Sequence, residues 1–281
     1  MRRRGLYLAV ARVSLADRIA WRGDVFFSVA MGAARVALAL VLWSAVFAGR
    51  AEVGGMSLAL VTGYYVIAVF VFQFDQSGAA SRELAEEIRT GRFGKYLTKP
   101  VDPLSWFLAS SAGRSAFQAA VALGAAALVA LALGLAGGAA GGAVPGGAVS
   151  LIAPISPLGI LAALPPLASG LLSLALVNFM TGILAFRFQD VGAFQIAKDC
   201  LIEFISGAMI PLAMMPSWAR GALGLTPFPA LASLPADLAL GRAPDSYAKA
   251  LAILLAWNAL LYLGARALYA SLSERYEELG S

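Results

Sequence analysis

Residues 116–136 read AFQAAVALGAAALVALALGLA, 21 consecutive positions without a charge. At about 1.5 Å of rise per helical residue, such a run reaches roughly 30 Å, the thickness of a bilayer's hydrocarbon core. Residues 31–48, MGAARVALALVLWSAVFA, form a similar block broken only by Arg35. Outward from these two blocks, windows of the required length and little charge recur at 25–48, 56–74, 108–135, 158–186, 194–215 and 247–269, the fifth interrupted by Gly207 and Pro211. The whole chain agrees: of its 281 residues 60% are hydrophobic and 13% charged, with a mean hydropathy of +0.79. An ordinary soluble domain has about 45–50% apolar and about 25% charged residues, so a globule of this composition would lack the polar surface to cover itself. The sequence predicts an all-α membrane protein with six transmembrane helices in a single domain over 1–281. An N-terminal interfacial helix is expected over 1–24, a cytoplasmic loop with a short helix over 78–104, and re-entrant extracytoplasmic helices over 216–246.

Composition also excludes whole classes of chemistry. With no histidine and one cysteine, Cys200, the chain cannot assemble a Cys/His zinc site, a histidine-based triad, a haem-attachment motif or an internal disulfide. No metal site is expected. The formal charge of +5 and pI near 9.6 do not point to nucleic acid, because cytoplasmic segments of multi-pass proteins gather Lys and Arg whatever their function. That bias sets the topology. Arg2, Arg3, Arg4, Arg12, Arg18 and Arg22, then Arg82, Arg89, Arg92, Lys95 and Lys99, then Arg187, Lys198, Arg266 and Arg275 fall on one side if the spans alternate. The other side has Arg50, Arg220, Arg242 and Lys249, and the stretch 137–157 has no charge. Both termini are therefore expected in the cytoplasm. Arg35, and the lack of a small-residue cleavage site before Arg50, argue against a removed signal peptide.

Before the first span, Leu6, Val10, Val13, Ile19 and Trp21 alternate with Arg12, Asp17, Arg18 and Arg22. This suits an amphipathic helix lying among the headgroups, with an elbow near Gly23; a helix running straight into the span is the alternative.

The longest polar stretch runs SRELAEEIRTGRFGKYLTKPVDPL over residues 81–104. Ser81, Leu84 and Ile88 with Glu83, Glu86 and Glu87 early and Arg89 late read as a short amphipathic helix, which Gly91 is placed to end. A second short segment, 93–97, runs into Lys99-Pro100 and Asp102-Pro103, where the prolines forbid a continuous helix into the next span. From composition alone, a solvated charged loop and a docking element are equally good readings. Gly91 to Tyr96 is not a phosphate loop, since the G-x-x-x-x-G-K-[ST] spacing and its hydroxyl are missing. No G-x-G-x-x-G occurs elsewhere, so any nucleotide energy must come from another chain.

Charges at membrane depth cost about 2.5–3.5 kcal/mol on insertion scales, so Arg35 and Glu203 need a reason to be there. A direct pairing would remove much of that penalty. A structural ion pair, or snorkelling of Glu203 toward the nearby cytoplasmic end, ranks ahead of a role in lining a path. Arg114 is expected to snorkel to the headgroups. Asn178 and Asn258 suit amide bonding between helices. Tyr64, Tyr65, Phe70, Phe72 and Phe74 give the second span an aromatic wall. Gly207, Pro211 and Pro216 interrupt backbone bonding at membrane depth, which is tolerated only where protein or a wet cavity satisfies the freed groups. The stretch from Trp218 to Leu240, with Pro227, Pro229 and Pro235, is too interrupted to span and should fold back over the outer mouth.

Two of these motifs carry a family resemblance. Glu87-Ile88-Arg89-Thr90-Gly91-Arg92-Phe93 to Tyr96-Leu97-Thr98-Lys99-Pro100-Val101 resembles the cytoplasmic loop of type-2 ATP-binding-cassette (ABC) exporter permeases. Ile205-Ser206-Gly207-Ala208-Met209-Ile210-Pro211-Leu212 to Met215-Pro216-Ser217-Trp218, followed by Pro227-Phe228, is similar to that family's broken fifth span and outer re-entrant helices. The resemblance implies a permease of a bacterial cytoplasmic membrane that works as a pair, with an identical or related second permease, and binds two ABC ATPase subunits. ATP and Mg would sit on those partners, and this chain would bind no cofactor and hydrolyse nothing. It assigns ATPase coupling to Glu83, Glu86, Glu87, Arg89, Gly91 and Arg92, and more loosely to Tyr96, Lys99 and Pro100. Since the family's second and fifth spans line the dimer seam and cargo route, it also points to Arg35, Tyr64, Phe70, Phe74, Asn178, Glu203, Gly207 and Pro211. A route of this kind suits a hydrophobic or amphipathic cargo moving outward. Two other readings stay open: a proton-coupled transporter using Glu203, and a membrane-embedded lipid-modifying enzyme using Glu203, Asp199 and Asp190.

Overall fold

The structure is a computed structural model that describes residues 9–10, 12–14, 22–97, 102–139, 155–188, 190–242, 244 and 246–280, with the side chains at 22–26, 28–29, 97, 125–139 and 274–280 left aside. Its helices follow the apolar windows. Helix α1 is Arg22–Val46, α2 is Leu58–Phe72, α3 is Ser77–Arg89, α4 is the single turn Gly94–Leu97, and α5 is Pro103–Ala139. Helix α6 is Pro157–Ile183, extended by a 3₁₀ turn, Leu184–Phe186, and α7 is Gly192–Ile205. Then come the short elements: a 3₁₀ turn Leu212–Met214, α8 Ser217–Leu223, a 3₁₀ turn Phe228–Leu231 and α9 Ser233–Ala239. Helix α10, Tyr247–Gly280, closes the chain.

Among the described residues, three segments are long and apolar enough to cross a membrane: Leu58–Arg89, which takes in α2 and α3, Pro157–Phe186 and Tyr247–Ser273. The apolar part of α1, Ala30–Val46, is shorter. Helix α5 contains the expected third window, and α7 covers only the first part of the fifth. The 14 residues of α7 rise about 21 Å, short of a hydrocarbon core about 30 Å thick. Helix α6 runs on through Pro165 and Pro166 without ending.

Three boundaries differ from expectation. The chain is not purely helical, because Glu52–Val53 (β1) pairs antiparallel with Met56–Ser57 (β2) between α1 and α2. Gly54 and Gly55 turn this hairpin with φ of 59° and 74°, the left-handed pair that a tight two-residue turn demands. Helix α3 begins at Ser77 rather than Ser81, since the Asp75 carboxylate accepts the Ser77 amide at 3.0 Å and the Ser77 hydroxyl at 2.5 Å, which satisfies a first-turn donor. Of the expected N-terminal helix, 9–10 and 12–14 are helical and α1 is already under way at Arg22; the rest of 1–24 lies outside the described residues, as does 140–154.

Helix α6 is the hub, packing against α3, α9 and α10 and against the Phe228–Leu231 turn. Gly159 and Gly170 make this close approach possible, since a Cβ at Gly159 would lie 2.0 Å from the Leu238 carbonyl oxygen and one at Gly170 would lie 2.9 Å from Ala230 Cβ. One core, containing Leu84, Ile88, Phe93, Phe107, Phe179 and Ile183, holds α3 and α4 to α5, α6 and α10. A second, containing Trp43, Met56, Val61, Tyr64, Tyr65 and Ala236, joins α1, the hairpin and α2 to α9 at the opposite end. Side chains such as Leu158, Leu255 and Leu263 stay exposed, a surface suited to lipid rather than water.

Candidate functional site

Helix α3 continues almost directly from the apolar α2, separated by residues 73–76. Its buried residues, Ser77, Ala80, Ser81, Leu84, Ala85 and Ile88, recur at the three- and four-residue spacing of one helix face. The opposite face is charged, and each of its acids has a partner. Glu83 takes both guanidinium nitrogens of Arg114 on α5 at 2.8 and 2.6 Å. Arg89 donates to Glu86 at 3.1 and 2.7 Å, and Lys95 pairs with Glu87. Arg114 is only 17% exposed, its guanidinium held by Glu83.

Gly91 stands just past the end of α3 with φ 74°, the left-handed position that closes a helix at least cost. The Phe93 amide bonds back to the Glu87 carbonyl at 3.0 Å, folding the loop under the helix. Phe93 is buried and meets Phe186 edge-on at 5.0 Å and Tyr96 at 5.1 Å. Burial, reinforced by the charge of Glu87, pushes the Tyr96 phenol well above its ordinary range, so it stays neutral. Of the other predicted coupling positions, Arg92 donates to the Thr90 hydroxyl at 3.0 Å, and Lys99 and Pro100 lie outside the described residues.

Beneath α3 lies a polar network that links three segments. The fully buried Asn178 of α6 donates to the Ser77 hydroxyl at 2.6 Å, and its amide oxygen accepts from Lys198 of α7. The Ser81 hydroxyl donates to the Asn178 carbonyl at 2.7 Å and accepts from Gln195 at 3.4 Å. Asn178 thus joins α3 to α7, while Asn258 bonds elsewhere, to Ser169 and Ser173. Ser77, Ser81, Gln195 and Lys198 carried no sequence signal of this role, because their partners are up to 114 positions away in the chain.

Arg35 and Glu203 do pair, at 3.4 Å, with side-chain exposures of 58% and 39%. They bridge α1 and α7, with exposed Leu38 and Leu42 on the Arg35 face of α1 and exposed Asp199 on the Glu203 face of α7. Two residues beyond α7, Gly207 takes φ 85°, and its carbonyl accepts the Tyr64 hydroxyl at 2.7 Å. The Ser233 hydroxyl of α9 donates to the Ser206 carbonyl at 2.7 Å, and the Ser233 amide bonds the same oxygen at 3.2 Å. Pro211 is fully buried just after this turn. The backbone freed by the break is therefore satisfied by protein groups. Tyr64 serves as such a buried partner, not as an open wall, while Phe70 and Phe74 stack edge-on at 5.8 Å and are only partly buried.

The acids considered for enzyme chemistry do not converge. Asp190 accepts the Gly192 amide at 2.7 Å, Asp199 pairs with Lys198, and Glu203 with Arg35. Among the described residues no cluster of His, Cys, Asp or Glu could hold a metal ion.

The model of a family described as "ABC-2 family transporter protein" matches residues 33–280, which takes in α2 through α10 and most of α1. No curated protein matches the chain.

Proposed function

The chain belongs to the ABC-2 family of transporter proteins, and from that premise we propose that it is the membrane subunit of an ATP-driven exporter, moving a hydrophobic or amphipathic cargo outward. In this reading the chain has six membrane segments, with α7 and the short elements after it as the broken fifth and its outer cover, and both termini lie in the cytoplasm of a bacterial cell. Two copies, or this chain and a related one, form the route, with Arg35 and Glu203 at the seam between them. The separate ATPase docks on α3 and α4; ATP and Mg stay on that partner.

The observation that supports this reading is the placement of α3. Its apolar face is anchored in the core, its charged face is outward, and it joins the apolar α2 through four residues, 73–76. Movement imposed on α3 reaches α7 through Ser77, Ser81, Asn178, Gln195 and Lys198, and reaches the break at Gly207 through α2 and Tyr64. Cargo and ATP must each favour a different state of the assembly for transport to be driven, and these contacts are the elements that would differ between states.

The test is purification of the tagged chain from membranes of its own host. A stoichiometric ATP-binding subunit whose hydrolysis rises with added cargo candidates is the expected result. A chain that transports without such a subunit would instead support proton coupling through Glu203.

A further inference from the structure

On the outward face of α3 and its loop, Glu83, Glu86 and Glu87 are all committed to Arg114, Arg89 and Lys95. Arg82 and Arg92 remain: among the described residues no carboxylate pairs with either. Arg82 stands between two concavities. One is a cleft of about 220 Å³ walled by Arg82, Glu86 and Arg89 on α3 and by Asp190 and Gln195 at the start of α7. The other lies along the loop side, where Arg82 is joined by Arg92 and Lys95. In the cleft Glu86 is paired with Arg89, while Asp190 accepts the first-turn amide of α7 at 2.7 Å and keeps its charge. Over both concavities five cations, Arg82, Arg89, Arg92, Lys95 and Arg114, meet four acids, Glu83, Glu86, Glu87 and Asp190, so the surface carries an excess of one positive charge, and Arg82 is the cation common to both.

We propose that the partner ATPase docks by placing an acidic side chain against Arg82 in the cleft between α3 and α7, with Arg92 as its second contact. This rests on the exporter reading and adds to it the chemistry of the partner and a second docking wall. The family resemblance distributes coupling over Glu83, Glu86, Glu87, Arg89, Gly91 and Arg92; here the acids hold the surface together, and Arg82, which it does not include, meets the partner with Arg92. A group seated in the cleft touches α3 and α7 together. Its movement reaches Glu203 and the break at Gly207 along α7 itself, without passing first through α2.

The experiment uses the complex of the full chain with the ATP-binding subunit that co-purifies with it, with retained ATPase per chain measured across a NaCl series. Arg82→Glu should lower retention at least about tenfold at low salt and Arg92→Glu by a smaller factor, with the difference from wild type narrowing as salt rises. Arg220→Glu, a reversal of the same size on α8 and away from this surface, should stay within about threefold of wild type. Unchanged thermal unfolding of each variant chain separates loss of docking from loss of fold. Wild-type retention by Arg82→Glu/Arg92→Glu, or an equal loss of retention in Arg220→Glu, overturns the proposal. Retained ATPase with a fall in co-purified phosphatidylglycerol overturns it in favour of a lipid headgroup. A wild-type chain that brings down no ATP-binding subunit overturns the exporter reading, and this inference with it.

Discussion

The Tyr64 hydroxyl, buried on α2, donates to the carbonyl of Gly207 at 2.7 Å, in the turn where α7 ends. Its oxygen also lies 3.1 Å from the Ser233 hydroxyl of α9. One side chain thus ties a long helix to the break and to the outer segment. Tyr64→Phe keeps the ring but strands a buried carbonyl, at a cost of about 1–3 kcal/mol. Thermal unfolding of the detergent-solubilised chain should show the loss. Gly207→Ala should be worse, since the added Cβ would lie 2.2 Å from Ser233 Oγ and 2.4 Å from Leu212 Cδ1 at a φ of 85°. Equal stability of wild type and Tyr64→Phe would show that the bond holds nothing in place.

The Arg35–Glu203 pair, at 3.4 Å, has exposed Leu38 and Leu42 beside Arg35 on α1. In water such an exposed pair would be worth at most about 1 kcal/mol. Within the bilayer an uncompensated charge costs about 2.5–3.5 kcal/mol, so either single reversal should reduce the amount of protein in the membrane. Arg35→Glu combined with Glu203→Arg should recover it. Quantitative blotting of membrane fractions decides the matter: a swap no better than the singles rules out direct compensation.

How legible this architecture was depended on the range of each signal. Helix α3 was readable because its apolar residues recur at helical spacing and its acids precede Arg89, and Gly91 ends it as its lack of a side chain suggests. The end of α7 was readable from Gly207 and Pro211, residues whose backbone limits are local. The start at Ser77 was missed because the carboxylate that takes its first amide is Asp75, placed two residues earlier in what reads as the tail of an apolar span. The hairpin at Glu52–Ser57 was missed because two residues per strand are too short for an alternating pattern. Asn178 stood out as an amide in an apolar run, but nothing local names Ser77 or Lys198 as its partners. Only tertiary packing brings those together.

Asp237 on α9, outside the membrane-spanning segments, gives a pH signature. Burial raises its carboxyl to about 6, although nearby Arg242 acts in the opposite direction. One carboxylate oxygen is buried without a hydrogen-bond donor, the Arg242 guanidinium lying 3.6 Å away. Because the folded pKa exceeds the unfolded value of 3.8, the folded chain binds the extra proton. Its contribution to stability is therefore largest below the unfolded value and falls as pH rises through about 6. Asp237→Asn should remove that slope and stabilise the chain by about 1–3 kcal/mol at neutral pH. Melting curves at pH 5 and pH 7.5 measure it, and an unchanged slope in the variant would assign the titration to another group.

The Glu83–Arg114 fork fixes α3 to α5, with two contacts of 2.8 and 2.6 Å around a guanidinium only 17% exposed. Bidentate pairs of this kind are directional as well as strong, so they set an angle and not only a distance. Glu83→Gln weakens the fork without removing the side chain, and leaves a largely buried cation without its counter-charge. A loss of about 1–3 kcal/mol follows from stranding a mostly buried donor set. If α3 transmits force, tilting it should also uncouple the partner: basal ATP hydrolysis by the complex should persist while its stimulation by cargo falls several-fold. Arg114→Met should restore stability relative to Glu83→Gln, because it removes the stranded charge, yet leave stimulation low because the angle of α3 is still unset. That split between stability and stimulation separates a coupling strut from a contact that only stabilises the fold, for which the two readouts would rise and fall together.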